Sequence, residues 1–511
     1  MARMGLCMVV ALGLSGCGSV SSEQALPASP PASAPQGVVR GEAAVAGGGA
    51  SRDARPSVPP LKSLVAPRVE AFRSASGHRV FVVERDEGPH VHVMARLQWP
   101  ASAYKAELIT GGLLLEATRP GSARTVFSEL LELEARPSVN AEAEVALVSA
   151  TLSRDSLAQG LRALLGAFSA AARVSPEAFE QKRKERLGHL AQERLSTDMM
   201  RLIDEGLFGP THPYQQLARE ETVLRSLKLA DVQRVREAQL QPEALRLVLV
   251  GDVSAAEVQA TLASLGEAGR PASATAATKA AAPKASAPRT PLVRGAALIE
   301  EPGATYADVA VVLPLQGYAA IPAPLVRGGQ HAIVELLSNA VFPWSEGKKA
   351  QLMVGNAHRE EHSFLIVGAR VLPDAVVDFV KAVRGVMASV AKAVQTEEVL
   401  QRMQRDVGEY ASEVLKHGPA LATTLALLED PASNLERTLA DHDPAQGLTP
   451  EVLRERALAW LRWDQVRVVA AGNVAGSEKA LVDLGFEPVT LRTRTLTPRR
   501  KAAGESFAAS E

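Results

Sequence analysis

Apolar positions along this chain follow two periods. His78 to Glu84 and His90 to Trp99 alternate or run apolar as strands do, and Val139 to Leu152 alternates small and apolar residues like a strand pair. Tyr104 to Thr118, Thr125 to Glu134, Ser156 to Ala172 and Pro176 to Leu207 carry the wider spacing of helices, the last two long and amphipathic. Leu245 to Val253 is a continuous apolar run closing on Gly251-Asp252, the pattern of a buried strand that ends in a turn, and Ala255 to Leu265 returns to helix. The same unit recurs late in the chain. Val466 to Val474 is apolar up to Gly472-Asn473, and a helix follows from Ser477 to Leu484. This internal repeat predicts duplicated domains. A single Gly after each strand is too little for a phosphate loop, and neither a GxGxxG nor a P-loop is present.

The ends add an address. Arg3 precedes an apolar run from Met4 to Leu14, which has the length of a secretory signal and is too short for a lasting bilayer span. Leu14-Ser15-Gly16-Cys17 resembles the lipobox of bacterial lipoproteins, whose small residues admit the peptidase and whose thiol takes the diacylglyceryl group. The alternative is an ordinary signal peptide with an incidental cysteine. The resemblance implies cleavage before Cys17 and a membrane attachment through lipid on that residue; Gly18, in place of Asp, points to the outer membrane. Cys7 leaves with residues 1–16, so the mature chain is expected to hold no disulfide.

Residues 17–66, rich in Ala, Pro, Gly and Ser after the cysteine, read as a disordered tether with a span of roughly 35–40 Å. A second low-complexity stretch, 266–292, separates a first half at 67–265 from a second at 293–490, and a polar tail covers 491–511. The chain has 511 residues and a formal net charge of -1, so bulk electrostatics offers no case for nucleic acid.

Several blocks, in order, are similar to the insulinase/pitrilysin-type metallopeptidases, close in size to the processing-peptidase branch. GHRVFVVERDEGPHVHVMARLQW resembles the two opening strands, AELITGGLLLEATRPGS the helix that carries the zinc motif, and FGPTHPYQQLARE the His-Pro-Tyr segment after the long helices. PEALRLVLVGDVSAAEVQATL and VRVVAAGNVAGSEKALVDLGFEPV resemble the closing units of the two halves. The resemblance implies an α/β (α+β layered) protein of two homologous halves, each a largely antiparallel sheet packed with helices, in a clamshell arrangement.

The chemistry of that family needs His-x-x-Glu-His, two imidazoles for zinc and a Glu to activate water, with a further carboxylate along the chain. The aligned positions read Gly112-Leu113-Leu114-Leu115-Glu116. Both histidines are missing, Leu115 replaces the base, and Glu116 stands where the second His belongs. The further carboxylate falls near Glu193. The substrate-gripping Arg and Tyr of a partner subunit are matched by FPWSEGKKAQLMVGNA from Phe342, which has neither; Lys348 or Lys349 could supply only the charge. The expectation is a pseudo-peptidase with no catalytic residues and no cofactor. It would partner a zinc-bearing metallopeptidase subunit or bind peptide or unfolded protein segments, at the envelope.

One literal motif competes. His358-Arg359-Glu360-Glu361-His362 is a His-x-x-Glu-His, and an active zinc peptidase using His358, Glu361 and His362 is the alternative. Its flanks read as strands around a Gly355-Asn356 turn signal, and in a strand the two histidines would lie about 13 Å apart. A polar hairpin is the expected form. His90 and His92, alternating on a strand, read as a solvated face rather than a metal pair; His212-Pro213-Tyr214 reads as a structural turn; Gln181 to Arg186 (QKRKER) reads as a basic, solvated helix face.

Overall fold

The computed structural model describes residues 63–86, 88–98, 107–141, 145–192, 194–208, 220–265, 294–315, 323–348, 350–358, 363–428, 430–440, 443–445 and 447–493. The first half contains β1 (Glu70–Arg73), β2 (Arg79–Glu84), β3 (His90–Gln98), α1 (Glu107–Gly112), α2 (Val126–Glu132), β4 (Ser138–Ala141) and β5 (Val145–Ser153). It continues through α3 (Leu157–Ala167), α4 (Pro176–Gln192), α5 (Arg194–Phe208), α6 (Glu220–Ser226), α7 (Leu229–Gln239), β6 (Leu245–Gly251) and α8 (Ala255–Ser264). The second half opens with β7 (Gly295–Glu300), β8 (Ala307–Leu315), α9 (Ala323–Lys348), β9 (Gln351–His358), β10 (Ser363–Val371) and α10 (Val376–Ala393). It ends with α11 (Glu397–Lys416), α12 (Gly418–Leu427), α13 (Pro431–Ala440), α14 (Pro450–Trp460), β11 (Arg467–Gly472), α15 (Ser477–Asp483) and β12 (Val489–Thr493).

Two six-stranded sheets result, in the orders β1-β2-β6-β3-β5-β4 and β12-β7-β11-β8-β10-β9. The five strands from β2 to β4 match those from β7 to β9 place for place, which is the duplication that the repeated apolar unit predicts. The closing strand of each unit, β6 or β11, sits inside its sheet, parallel to one neighbour and antiparallel to the other. The sheets differ at one edge, where β1 is antiparallel to β2 but β12 is parallel to β7. Gly251 and Gly472 end these strands at φ 147° and 119°. A Cβ on Gly251 would meet the His90 carbonyl oxygen; one on Gly472 would lie 2.5 Å from that of Tyr306. These glycines are therefore turn residues forced by close backbone approach.

Both sheets are buried on both faces, which is why their strands read as continuous apolar runs. In the first sheet, Val80, Val82, Val93 and Leu249 share a core with α2, α3 and α8. The opposite face, Phe81, Val83, Met94, Val248 and Val250, is covered by residues of the second half: Ala411 and Val414 of α11, Leu421 and Leu425 of α12, and Leu435 and Leu439 of α13. The second sheet mirrors this. Leu298, Val309, Val367 and Val468 pack on α9, α10 and α11, while Ala297, Ile299, Val312, Phe364, Ile366 and Val469 receive Met199, Met200, Leu202 and Ile203 from α5 of the first half. The halves face each other as expected, through this reciprocal exchange of helices. Each buried Val, Leu, Ile, Phe or Met side chain in the exchange contributes roughly 2 kcal/mol.

Polar contacts tie the same seam. Arg85 donates from Nη1 to the Leu415 carbonyl (2.5 Å) and from Nη2 to that of Lys416 (3.1 Å), at the C-terminus of α11. Arg246 donates from Nη1 to the Ala426 carbonyl (3.0 Å) and to that of Leu428, at the end of α12. Guanidinium groups there complement the unsatisfied carbonyls and the negative end of each helix. Arg492 of β12 makes a two-pronged pair with Glu205 of α5, at 2.9 and 2.8 Å. Leu64 donates its N–H to the buried Asp443 carboxylate (3.3 Å), and Leu64, Ala66 and Val69 pack into the shared core, so residues 63–66, expected as the end of the tether, belong to the packed chain.

Several expected boundaries move. The helix expected over 104–118 is α1, Glu107–Gly112; residues 104–106 lie outside the described ones. It stops because Gly111-Gly112 favours helix poorly and the chain closes into turns, with Leu113 N–H bonded to the carbonyls of Ile109 and Thr110 and Leu114 N–H to Gly111. The long helix expected from Pro176 corresponds to α4 and α5, which flank Glu193, a residue outside the described ones, and α3 ends at Ala167 rather than Ala172. The last strand runs to Thr493, past the expected start of the tail.

Candidate functional site

The degenerate motif lies where α1 ends. Gly112 is its last residue, and Leu113, Leu114 and Leu115 follow in turn conformation, each buried. The backbone here supports its neighbour: the carbonyls of Leu115 and Ala117 accept from Phe127 N–H (2.8 Å) and Val126 N–H (3.0 Å), at the start of α2. Thr125 closes that end, accepting from Ser128 N–H at 3.2 Å. Positions 112 and 116 are thus not on one regular helical face. Leu115, at the place of the base, is 2% exposed and belongs to the first sheet's core. Glu116 is half-buried.

A second feature was invisible in the sequence. Lys182 of α4 lies over Gly112, so that a Cβ on Gly112 would sit 3.2 Å from Lys182 Cε. The aliphatic stem of a lysine thus fills the space that a side chain at 112 would need. Its ammonium is 3.2 Å from Glu185 Oε2, with the lysine side chain only 12% exposed. Two neighbouring arginines of α4 have partners. Arg186 grips the buried Glu220 with Nε at 2.6 Å and Nη2 at 3.1 Å, and Arg183 bonds Glu180 and the Leu227 carbonyl. QKRKER is therefore not simply a solvated face. No signal local to 112 could have announced Lys182; only the tertiary approach of α4 to α1 does.

These residues do not fit a zinc ion. Gly112 has no donor atom, Lys182 brings a positive charge rather than a lone pair, and Leu115 is apolar and enclosed. Among the described residues no three His, Cys, Asp or Glu side chains gather as a metal-binding set. Glu193, the candidate further carboxylate, lies outside the described residues, as do Cys17, Lys349, and the His212-Pro213-Tyr214 turn. Of the competing motif only His358 is described: β9 and β10 are antiparallel with His358 paired to Ser363, and Gly355 and Asn356 lie within β9, paired to Ile366 and Leu365, rather than in the turn their residue types suggest. His358 is thus the last residue of a strand, whereas Glu361 and His362 lie outside the described residues. His90 and His92 are on β3, where His92 Nδ1 is 3.0 Å from Thr151 Oγ1 of the neighbouring strand.

The third element of the site is an edge. β4 is the outermost strand of the first sheet, bonded to β5 on one side, and it lies against α1. Its other side has no strand partner among the described residues. Asn140, in the middle of β4, has a buried side-chain oxygen with no hydrogen-bond donor.

No family model matches the chain, and no curated protein matches it. Solved structures do. An inactive domain of a peptidase M16 from Pseudomonas fluorescens is similar over 79% of this chain and 98% of its own, at 17% identity and a TM-score of 0.59. This chain has the M16 peptidase fold. A protease from Helicobacter pylori aligns over 80% of this chain and 100% of its own, with 15% identity and a TM-score of 0.62. The periplasmic protease PqqL from Escherichia coli aligns over 82% of this chain but only 47% of its own length, with 14% identity and a TM-score of 0.60. The M16 fold is the one implied by the ordered sequence blocks.

Proposed function

We propose that this chain is a non-catalytic M16-fold protein of the bacterial envelope that holds extended peptide segments along β4 and presents them to a zinc-bearing peptidase subunit. The observation that carries this reading is the open edge of β4 beside a motif that cannot ligate metal. An unpaired strand edge offers a row of backbone donors and acceptors to an incoming extended chain. The likeness to a domain named as inactive supports a role without catalysis. The likeness to half of a periplasmic protease supports both the envelope placement and a second unit of similar size as partner. No helix among the described residues is long and apolar enough to cross a membrane, so attachment through lipid on Cys17 is the anchor this reading uses.

Amide hydrogen exchange tests it. Addition of an unfolded, protease-resistant peptide should slow exchange along residues 138–141, and equal exchange with and without peptide would refute strand addition. Mild crosslinking in envelopes should capture a zinc peptidase, and its absence would remove the partner from the reading.

A further inference from the structure

We infer that the Lys182 ammonium is a receptor for a carboxylate of the bound peptide. This deepens the peptide-holding reading and rests on it. Three facts point to it. First, the ammonium is held in place: its stem runs over the bare backbone of Gly112, and the side chain is largely enclosed. Little rotamer freedom is then left to lose on binding. Second, among the described residues its donors are not all used. An ammonium has three N–H groups, and Glu185 accepts at 3.2 Å. Third, the other cations nearest on α4 have partners of their own, Arg183 with Glu180 and the Leu227 carbonyl, Arg186 with Glu220. Lys182 is the member of that basic run that reaches α1, and α1 is the helix that borders the β4 edge. The end of α1 that lacks metal ligands therefore faces an enclosed ammonium whose acceptor among the described residues is Glu185. A carboxylate there would form a short, charge-assisted hydrogen bond. The ammonium has no route to peptide-bond cleavage, so the interaction selects and holds.

The carboxylate could be the free C-terminus of a peptide or an Asp or Glu side chain. The test uses the whole mature chain and one Thr/Val-rich peptide made in four forms: free acid or C-terminal amide, each with Glu or Gln near its centre. Binding by calorimetry should be strongest for a form bearing a carboxylate. Lys182→Met, which keeps the stem over Gly112, should lower affinity for that form by about tenfold, while Lys182→Arg should retain most of it. The fully neutral form should bind wild type and Lys182→Met alike. Whichever of the Glu or free-acid forms responds names the source. Equal affinity of all four forms, or no effect of Lys182→Met on a carboxylate-bearing form, overturns the assignment while the peptide reading stands. Failure of every form to bind wild type refutes the reading and the assignment together.

Discussion

Arg246 and Arg467 occupy the same position in the two repeated strands, and each reaches out of its own half into the other. Arg246 caps the α12 carbonyls of Ala426 and Leu428. Arg467 crosses α5, close enough to Gly206 that a Cβ there would run into its guanidinium. The duplicated arginine is thus a duplicated clasp. Burial lowers the Arg467 pKa from its usual value, and Glu205 opposes that shift. Replacing Arg246 with Met should cost about 2–3 kcal/mol, because charge-assisted bonds to buried carbonyls are lost. Urea unfolding measures it, and a variant as stable as wild type would show that the clasp contributes nothing.

Gly206 gives a sharper test of the second clasp. Gly206→Ala places a methyl group against Arg467 and should destabilise the protein by about 1–3 kcal/mol. Arg467→Ala in the same chain removes the obstacle, so the pair should be non-additive in a double-mutant cycle. Simple additivity would mean that the two residues do not meet.

Rebuilding the zinc motif should fail. The triple variant Gly112→His, Leu115→Glu, Glu116→His puts an imidazole into the space of Lys182 and a carboxylate into the core site of Leu115. An unpaired buried charge of that kind costs about 3 kcal/mol or more. Metal analysis should find no stoichiometric zinc, and the melting temperature should fall. One zinc per chain would contradict the geometry of this site.

Acid should loosen the first turn of α8. Ser254 and Glu257 form a reciprocal cap, with Ser254 N–H donating to Glu257 Oε2 at 2.8 Å and Glu257 N–H to Ser254 Oγ at 3.3 Å. The Ser254 backbone N–H, the Ser254 hydroxyl and Arg154 lower the Glu257 pKa from its ordinary 4.5 to about 2. A lowered carboxyl pKa stabilises the fold above the unfolded value, and that contribution is lost as pH falls from 4.5 towards 2. Solvent screening at this exposed site keeps it to about 1 kcal/mol or less. Glu257→Gln should lessen the acid dependence of stability in that window, and an unchanged slope would count against it.

Much of the architecture is legible in the chain because strands buried on both faces leave unbroken apolar runs. Leu245 to Gly251 is such a run, and its echo at Val466 to Gly472 reveals the duplication. The absence of zinc ligands at Gly112 and Leu115 is also visible, since ligand chemistry is a property of residue types. What covers the second face of each sheet is not visible. Phe81 and Val248 read the same whether a local helix or α12 lies on them. Lys182 is hidden for a related reason: its role comes from crossing a glycine far from it along the chain. The early end of α1 is not legible because Leu113 to Leu115 look helical, although they serve as core and the Leu115 carbonyl accepts from Phe127 of α2.

The reciprocal covering of the sheets also sets an order of events during synthesis. The described strands of the first sheet are complete once Gly251 is made, yet the helices that close its face arrive only with residues 397–440. Until then Phe81, Val83, Met94, Val248 and Val250 form a bare apolar surface on a half-made protein. A chain in that state is a natural client for a holding chaperone, and neither half on its own can complete its core.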